Sequence, residues 1–267
     1  MRRKEEPLEP RPGQALLRVQ DVGVRFGGIV ALDRVSFEVA AGQIVGLIGP
    51  NGAGKTTLFN CVSRLYPCDS GEITFGPHRL LEMPRHRIAT LGIGRTFQNL
   101  ALFGSMTVLE SVLVGRHSRT RSGFFANMLR LPGVAREERA SAERSRELIR
   151  FIGLEAVAAT RMSDLPFGTQ KRVELARALA SEPALLLLDE PASGLNHEEV
   201  MALGSLIGQI RDRLRLTVLL VEHHMNLVMS ISDRVVALNF GRKIAEGTPE
   251  EVRSHPEVMQ AYLGSAS

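Results

Sequence analysis

Residues Gly49–Thr56 read GPNGAGKT, and this stretch decides which fold the chain can adopt. The apolar segment QIVGLI precedes it, and the residues that follow, Lys55–Leu65, have helical spacing. The stretch fits the pattern GxxxxGKT at every fixed position, between a strand and a helix. Glycines let successive backbone N–H groups turn toward phosphate oxygens, and the helix N-terminus adds partial positive charge. The stretch therefore predicts a phosphate-binding loop.

The phosphate-binding loop suggests distinct roles for its side chains. Lys55 is the expected contact to the β- and γ-phosphates, Thr56 the expected Mg²⁺ ligand and Thr57 a further phosphate contact. A chance glycine-rich turn is the alternative, but the flanking segments and an acidic strand end downstream make it much the weaker one. The other predicted nucleotide-binding positions of the loop are Gly49, Pro50, Asn51, Gly52, Ala53 and Gly54.

The acidic strand end lies in residues 185–191, which read LLLLDEP and predict a strand buried on both faces. Ligands of open parallel sheets bind at the carboxyl ends of the strands, and buried carboxylates are costly unless they are paired or hold a metal. Asp189 is therefore the predicted Mg²⁺ holder, directly or through water, and Glu190 is the candidate base that polarises an attacking water. Pro191 favours an extended conformation at Glu190. The alternative, a strand end that caps a neighbouring helix, is weaker beside a phosphate-binding loop.

Composition argues against several classes of protein. With 267 residues the chain suits one substantial domain or two small ones, and its formal charge of +4 is mild. Basic residues are scattered except in RHSRTR, residues 116–121, so a dedicated nucleic-acid binder is not indicated. Cys61 and Cys68, the only cysteines, form no CxxC pair and have no matching histidine pair, which argues against zinc and for a reducing compartment.

Neither a membrane span nor a signal peptide is predicted. The longest uninterrupted apolar run, Ala184–Leu188, is far too short to cross a bilayer. Residues 1–15 are expected to be a flexible tail, because basic residues are followed there by glutamates and prolines without an apolar segment. Peripheral association with a membrane remains open.

The pattern of the remaining segments predicts an α/β fold. Pro84–Leu91 has the pattern of a short helix, and Ala135–Leu154 is an Arg- and Glu-rich helical stretch. Strands that alternate with helices favour a mostly parallel sheet covered on both faces. Residues 16–267 are expected to form this domain, with a helical subdomain inserted at about residues 100–180. The β-rich segments are residues 17–24, 35–39, 43–48, 72–75, 184–189, 217–222 and 235–238.

A second helix start carries an unusual charge. Residues 165–172 read LPFGTQKR and run directly into the helical VELARALA, so Lys171 and Arg172 stand near the positive end of a helix. Asp or Glu normally occupy such a first turn. Either the two side chains point into water or meet acidic neighbours elsewhere, or something strongly anionic docks at this helix start.

Further motifs occur in a fixed order around these two features. They are Phe26, GIGRTFQNLALF at 92–103, ASGLN at 192–196 and His223 after TVLLVE. In this order they resemble the nucleotide-binding subunit of ATP-binding cassette (ABC) transporters, over nearly the whole chain beyond the tail. The stretches GRTFQNLALFGSMTVLESV, VEHHMNLVM, SDRVVALNFGRKIAEGTPEEV and AYLG are similar to the ATPase subunits of branched-chain amino acid importers, the LivG type.

The resemblance implies roles for residues at the motif positions of the family. Phe26 is expected to stack on adenine, although core packing would be its interpretation without the family match. Gln98 is expected to sense Mg²⁺ and the attacking water and to link to the helical subdomain, and His223 to contact the γ-phosphate. Ser193–Asn196 is expected to touch an opposing subunit, and His224 receives no role.

The resemblance also bears on the second helix start. The corresponding stretch of the family, usually LSGGQ, binds the γ-phosphate of an ATP held by a second cassette. Lys171 and Arg172 would raise the local positive potential. Pro166 and Thr169 replace the usual serine and glutamine, and proline offers neither hydroxyl nor N–H, so the half-site is either competent through its remaining donors or weaker. The ATP contacts implied for this chain are Leu165, Gly168, Thr169 and Gln170.

The fold implied is a P-loop NTPase of the ABC ATPase type, α/β, with a mostly parallel sheet core, an antiparallel β subdomain and an inserted helical subdomain. The expected function is ATP hydrolysis, with ATP and Mg²⁺ as cofactors, coupled to import of branched-chain amino acids or related small solutes. Expected partners are integral-membrane permease subunits, a second ABC ATPase subunit in a homo- or heterodimer and, indirectly, an external solute-binding protein, but no nucleic acid. The expected location is the cytoplasmic face of the cell membrane, peripherally. A non-transport ABC ATPase and a nucleotide-dependent regulatory module are the alternatives.

Overall fold

The structure is a computed structural model that describes residues 13–96, 104–116 and 132–263. The chain divides into two compact units. The first combines the segment that ends at Arg95 with the segment that begins at Ala184, and the second runs from Thr96 to Pro183. Gln98 and residues 1–12 of the predicted tail lie outside the described residues.

The first unit contains two sheets. The larger has the strand order β10-β9-β3-β8-β7-β6, in which β10 pairs antiparallel with β9 and the other strands run parallel. The smaller, β2-β1-β4-β5, is antiparallel throughout. The predicted parallel core sheet and antiparallel β subdomain are thereby confirmed. The strands are β1 (Ala15–Phe26), β2 (Ile29–Ala40), β3 (Ile44–Ile48), β4 (Ser70–Phe75), β5 (His78–Arg79), β6 (Ile93–Arg95), β7 (Leu185–Asp189), β8 (Thr217–Val221), β9 (Arg234–Asn239) and β10 (Arg242–Gly247).

The central strands of the larger sheet are buried along their whole length. Every residue of β3, β7 and β8 is buried, and most of these residues are aliphatic. Gly46 in β3 allows a helix to pack closely, because a Cβ there would lie 2.4 Å from Cγ1 of Val228. A strand covered on both faces can present polar groups to a ligand only at its ends.

Helices flank the strands in the first unit and make up most of the described part of the second. In the first unit α5 starts with a capping box, in which Asn196 and Glu199 exchange hydrogen bonds between side chain and backbone N–H. Asn196, expected to touch an opposing subunit, thus also stabilises a helix start. The helices are α1 (Lys55–Val62), α2 (Val108–Gly115), α3 (Pro132–Phe151), α4 (Phe167–Leu179), α5 (His197–Leu214), α6 (Met225–Ile231), α7 (Pro249–Arg253) and α8 (Pro256–Leu263).

The second unit is built around α2, α3 and α4. α2 approaches α4 closely at Gly115, where a Cβ would lie 2.1 Å from the carbonyl oxygen of Arg177. Arg116 follows and pairs with Glu182 at 2.9 Å. Residues 117–131, which belong to the predicted helical subdomain, lie outside the described residues.

Two predicted elements of the first unit differ from the structure. The helix predicted at 55–65 ends at Val62, because Arg64 has a φ of +59° and the N–H groups of Leu65 and Tyr66 both donate to the carbonyl of Asn60. The short helix predicted at 84–91 consists of two 3-10 turns, Arg85–Arg87 and Ala89–Leu91.

The first two strands are also longer than predicted. β1 and β2 have 12 residues each, because they pair as one hairpin as far as Phe26 and Ile29. In the described ranges, no helix combines the length and the apolar character needed to cross a bilayer.

Candidate functional site

Four neighbouring strands end at one edge of the larger sheet, and three of them lead into predicted site residues. β3 leads into the phosphate-binding loop, β8 ends two residues before His223, β7 ends at Asp189 with Glu190 next, and β6 ends at Arg95. These strands are adjacent and parallel, so their carboxyl ends meet at the same edge. The phosphate-binding loop, the two carboxylates and the histidine are thus brought together, whereas Gln98 lies outside the described residues.

Two positions of the phosphate-binding loop admit only glycine. Gly49 has a φ of +149°, and a Cβ there would lie 2.2 Å from the carbonyl oxygen of Leu238. Gly54, the residue before α1, has a φ of +100°, and its Cβ would lie 2.6 Å from the carbonyl oxygen of Ala31. No acidic residue occupies the first turn of α1, so the partial positive charge of the helix start is left for an anionic ligand.

Lys55 is held inside the loop. Its side-chain Nζ donates to the carbonyls of Gly49 at 2.7 Å and Pro50 at 3.0 Å, and the residue is only 6% exposed. Burial lowers the pKa of Lys55 below its ordinary value, while the carboxylates of Glu190 and Asp189 act in the opposite direction. A buried ammonium group gains from any further negative charge, which suits it to phosphate oxygens.

Asp189 has a partner that the sequence motifs did not reveal. Its Oδ2 lies 2.8 Å from a guanidinium nitrogen of Arg95, and the two side chains are 2% and 14% exposed. The other terminal nitrogen of Arg95 donates to Asn60 Oδ1 and Ser63 Oγ, each at 2.9 Å. Arg95 therefore ties the acidic strand end to the far end of α1. The available signal was a cation at the end of a short strand, within GIGRTFQ.

Oxygen atoms suited to Mg²⁺ come from two places at this edge. Mg²⁺ prefers carboxylate, hydroxyl and phosphate oxygens. Asp189 supplies a carboxylate, and Thr56, which is exposed in the first turn of α1, supplies a hydroxyl. These two residues fit the ion by their chemistry, as the sequence predicts.

The backbone at Glu190 differs from the sequence prediction. Glu190 has a φ of +46°, in the left-handed region, whereas the proline that follows it led us to expect an extended conformation. The Glu190 N–H donates to the carbonyl of Val221 at 2.9 Å, and the Glu190 carbonyl accepts the N–H of Ser193 at 3.1 Å. These bonds hold a conformation that costs about 1–3 kcal/mol in a residue other than glycine. Such strain concentrates at functional positions.

Glu222 organises the segment around His223, although no sequence motif indicates a role for it. Its side chain is fully buried, and its Oε1 accepts the N–H of Ala192 at 2.7 Å. Oε2 accepts the N–H groups of His223 at 2.9 Å and His224 at 3.1 Å, and lies 3.0 Å from the His224 Nδ1. One carboxylate thus joins the histidine segment to the turn after Glu190. The signal was a carboxylate directly after a buried apolar strand.

His223 and His224 lie side by side at this turn. Their ring centroids are 4.4 Å apart, and the His223 side chain is 48% exposed. His224, which received no role from the sequence, shares the buried carboxylate with its neighbour. His223 is therefore the histidine whose side chain is more available to a ligand at the sheet edge.

Phe26 lies at the end of β1 and outside the core. It is 46% exposed, and its ring meets the edge of Tyr66 with centroids 5.4 Å apart. Core packing is therefore the wrong interpretation of this residue. An exposed aromatic ring supported by a second ring can accept a planar base.

The C-terminal helix also reaches the phosphate-binding loop. The N–H of Gly49 donates to the hydroxyl of Tyr262 in α8 at 2.8 Å. Burial raises the pKa of Tyr262, and the hydrogen bond from Gly49 opposes that shift. Tyr262 belongs to the closing AYLG stretch, so this part of the sequence braces the first glycine of the loop.

The stretch LPFGTQKR lies in the second unit, at the start of α4. Pro166 occupies the N-cap position without a side-chain hydrogen bond, and no acidic residue follows in the first turn. The side chain of Leu165 is buried, and its carbonyl accepts a hydrogen bond from the Gln170 side chain at 2.9 Å. Gly168 and Thr169 are partly exposed. Backbone N–H groups are therefore the main donors that this helix start offers.

The two cations of this stretch are engaged within the second unit. Lys171 is 8% exposed, lies 3.9 Å from the Glu174 carboxylate and sits over the Phe167 ring at 5.5 Å. Arg172 donates to the carbonyls of Ile152 and Gly153 after α3. The acidic-neighbour alternative thus holds for Lys171. The expectation that the two cations raise the local positive potential stays a prediction.

The fold and this arrangement of side chains define an ABC ATPase cassette. The chain superposes with a TM-score of 0.83 on the crystal structure of the ADP conformation of an ATP-binding cassette of an ABC transporter, at 28% identity over 94% of this chain and 99% of that one. A nucleotide-free ATP-binding cassette from an ABC transporter gives a TM-score of 0.81 at 28% identity, over 93% and 99% of the two chains. The predicted ABC ATPase fold is confirmed.

Sequence comparison places the cassette within its family. A model of the ABC transporter family matches residues 32–193, and a model of the branched-chain amino acid ATP-binding cassette transporter matches residues 242–267. The chain is 44% identical over 253 residues to the high-affinity branched-chain amino acid transport ATP-binding protein LivG of Salmonella typhimurium, covering 95% of this chain and 99% of that protein. It is 42% identical over 251 residues to the corresponding BraF of Pseudomonas aeruginosa, covering 94% and 98%. The chain belongs to the ABC transporter family, in the branch of LivG and BraF.

The buried pair between Arg95 and Asp189 yields a stability prediction. We expect Arg95→Met to lower the free energy of unfolding by about 3 kcal/mol, because it leaves a buried carboxylate without its guanidinium partner. Urea unfolding of the full chain measures the change. Arg18→Met is the matched control, since it breaks an exposed pair with Glu38 (2.7 Å, side chains 53% and 50% exposed). It should cost less than about 1 kcal/mol, and equal losses in the two variants would contradict the assignment.

Proposed function

We propose that this ATPase powers an importer for branched-chain amino acids or related small solutes. The observation that carries the proposal is the convergence of Lys55, Asp189, Glu190 and His223 at one sheet edge. That set supplies phosphate contacts, metal-binding oxygens and a candidate base in one place. The names of the relatives LivG and BraF, and the C-terminal family match, supply the cargo class.

The chemistry we propose is water attack on the γ-phosphate of ATP. Glu190 orients and polarises the attacking water, and Lys55 and His223 stabilise the charge that develops on the phosphate oxygens. Mg²⁺, held by Thr56 and Asp189, would neutralise phosphate charge when bound. Gln98 stays a predicted sensor of Mg²⁺ and water. Phe26, exposed and supported by Tyr66, stacks on adenine.

We further propose that the start of α4 closes over an ATP held by a second cassette. A helix start leaves its first N–H groups without acceptors inside the helix, and here they include those of Gly168 and Thr169. Pro166 adds no N–H, so the backbone donors after it must suffice. The absence of an acidic residue in this first turn keeps the helix start favourable for phosphate.

The proposed partners follow from this assembly. A second ABC ATPase subunit, either a copy of this chain or a related cassette, completes two ATP sites. Integral-membrane permease subunits receive the movement through the second unit, and an external solute-binding protein delivers the cargo indirectly. The cassette would act at the cytoplasmic face of the cell membrane, and no nucleic acid takes part.

The role of Glu190 is tested by Glu190→Gln. We expect ATP turnover to fall by at least about 100-fold while ATP binding persists, because the amide cannot act as a base. Phosphate release and equilibrium binding of a fluorescent ATP analogue measure the two quantities. Lys55→Ala is the contrasting variant and should lose tight nucleotide binding. Hydrolysis at the native rate in the glutamine variant would remove Glu190 from this role.

The proposed closure of the start of α4 over a partner's ATP is tested by adding Gly168→Asp to the Glu190→Gln variant. ATP-dependent dimerisation, measured by sedimentation velocity, should be lost, because the new carboxylate repels the γ-phosphate. Gly208→Asp makes the same change on α5, where an added Cβ meets nothing within 4 Å, and should leave dimerisation intact. If both variants dimerise equally with ATP, the start of α4 does not close over the partner's ATP. The same measurement on a mixture of this chain with a related cassette tests the case in which the working pair is a heterodimer.

The cargo is tested in liposomes that contain the permease subunits encoded beside this chain. We expect ATP-dependent accumulation of radiolabelled leucine with the native cassette and none with Glu190→Gln. Urea and short amides serve as comparison solutes. ATP-dependent uptake of these solutes without leucine uptake would overturn the cargo assignment and leave the ATPase assignment intact.

A further inference from the structure

The segment between α1 and β4, residues 63–69, is folded tightly against the helix that precedes it. We call it the α1–β4 loop. The carbonyl of Asn60 accepts the N–H groups of Leu65 at 2.7 Å and Tyr66 at 3.1 Å. Arg64 has a φ of +59°, which turns the chain sharply at the end of the helix. The loop is therefore a compact element rather than an extended connection.

The α1–β4 loop supports Phe26, the residue proposed to stack on adenine. The ring of Tyr66 meets Phe26 edge-on, with an angle of 76° between the ring planes. At the other end of the loop, Asp69 Oδ2 accepts the N–H of Arg25 at 2.6 Å, and the Asp69 N–H donates to the Gly23 carbonyl at 2.9 Å. The position of Phe26 thus depends on both ends of this loop.

One of the two cysteines lies in this loop and the other in the helix before it. Cys61 lies in the last turn of α1 and is fully buried, whereas Cys68 is partly exposed. The sulfur of Cys61 donates to the carbonyl of Pro67 at 3.9 Å, so it touches the peptide group that leads into Cys68. Each thiol also shifts the pKa of the other, so the two sulfur atoms lie near each other.

The environments of the two thiols make them chemically different. Interaction with the Cys61 thiol lowers the pKa of Cys68, and the Arg64 guanidinium lowers it further against the effects of burial and Asp69. Interaction with the Cys68 thiol and burial raise the pKa of Cys61. Cys68 is therefore the more acidic and more accessible thiol, as expected of a residue that reacts first. Cys61 is the second thiol, in place to follow.

We propose that Cys61 and Cys68 are a thiol-oxidation site that controls adenine binding. The Cys68 thiolate attacks a small-molecule disulfide, forms a mixed disulfide and releases one small thiolate, which takes up a proton. Cys61 then attacks the Cys68 sulfur, and the second small thiol leaves with the proton from Cys61. One external disulfide is reduced to two thiols, and the two cysteines are oxidised to one internal disulfide. The proposal rests on the nucleotide site proposed above.

We expect oxidation to weaken binding of the adenine base of ATP. Bond formation brings the two sulfur atoms to about 2.05 Å and must move the α1–β4 loop, which carries Tyr66 and ends at Asp69. Phe26 then loses its support, and we expect the Kd for ATP to rise about tenfold, the scale of a lost aromatic–base contact. Binding of tripolyphosphate, which has no base, should not change, because the phosphate-binding loop lies at the other end of α1.

The experiment uses the full chain, either reduced with dithiothreitol or equilibrated with oxidised glutathione. Intact mass should show the loss of two hydrogen atoms after oxidation, without retained glutathione. Titration calorimetry then gives the Kd for ATP and for tripolyphosphate in each state. Cys68→Ser should form no internal disulfide and should bind ATP like the reduced native chain under both conditions. Cys61→Ala gives a second test, since it should retain glutathione on Cys68.

Three results would overturn the proposal: no internal disulfide, retained glutathione on the native chain, or an unchanged Kd for ATP after oxidation. Phe26→Ala tests whether oxidation acts on ATP binding through Phe26. This variant should weaken ATP binding in the reduced state and abolish the effect of oxidation. Failure of the reduced native chain to bind ATP would instead count against the proposed nucleotide site. The mass measurement is independent of nucleotide and separates these two failures.

Discussion

Burial of three parallel strands on both faces is the constraint on which the rest of the molecule depends. β3, β7 and β8 are buried along their whole length, so the chain can place charged groups only where these strands end. Parallel pairing then puts the phosphate-binding loop, Asp189 and His223 at one edge, although they are far apart in the sequence. An antiparallel arrangement of the same strands would have placed these groups at opposite edges.

Buried charges at this edge are all tied to partners that fix their geometry. Asp189 pairs with Arg95, which also binds α1, and Glu222 accepts N–H groups from two different strand ends. The Arg95–Asp189 pair and the bond from Ala192 to Glu222 each join the ends of neighbouring strands. A buried charge without a partner is costly, so these contacts both stabilise the fold and hold the site in one arrangement. The strained backbone of Glu190 is held at this edge by its hydrogen bonds to Val221 and Ser193.

The helices of this chain differ in how the backbone N–H groups at their starts are satisfied. α2, α5 and α7 begin with capping boxes, and hydrogen bonds from Thr107 and Thr248 lower the pKa values of Glu110 and Glu251. α1, α4 and α6 begin without a side-chain cap and without an acidic residue in the first turn. Two of them, α1 and α4, carry the proposed phosphate contacts, and α6 directly follows the pair of histidines at 223 and 224. Leaving a helix start uncapped reduces its stability but keeps its N–H groups available for an anion.

The sequence by itself determined the phosphate-binding loop and the acidic strand end, because each is a short contiguous pattern of fixed spacing. It also determined the parallel sheet and the family, through the order of strands, helices and motifs along the chain. Only the tertiary structure decided which groups hold those motifs in place: Arg95 on Asp189, Glu222 beneath His223, and Tyr262 on Gly49. It also corrected the backbone at Glu190, where bonds to Val221 and Ser193 override the local preference before proline. Contacts between distant segments depend on the register and order of strands, and no local pattern of residues encodes them.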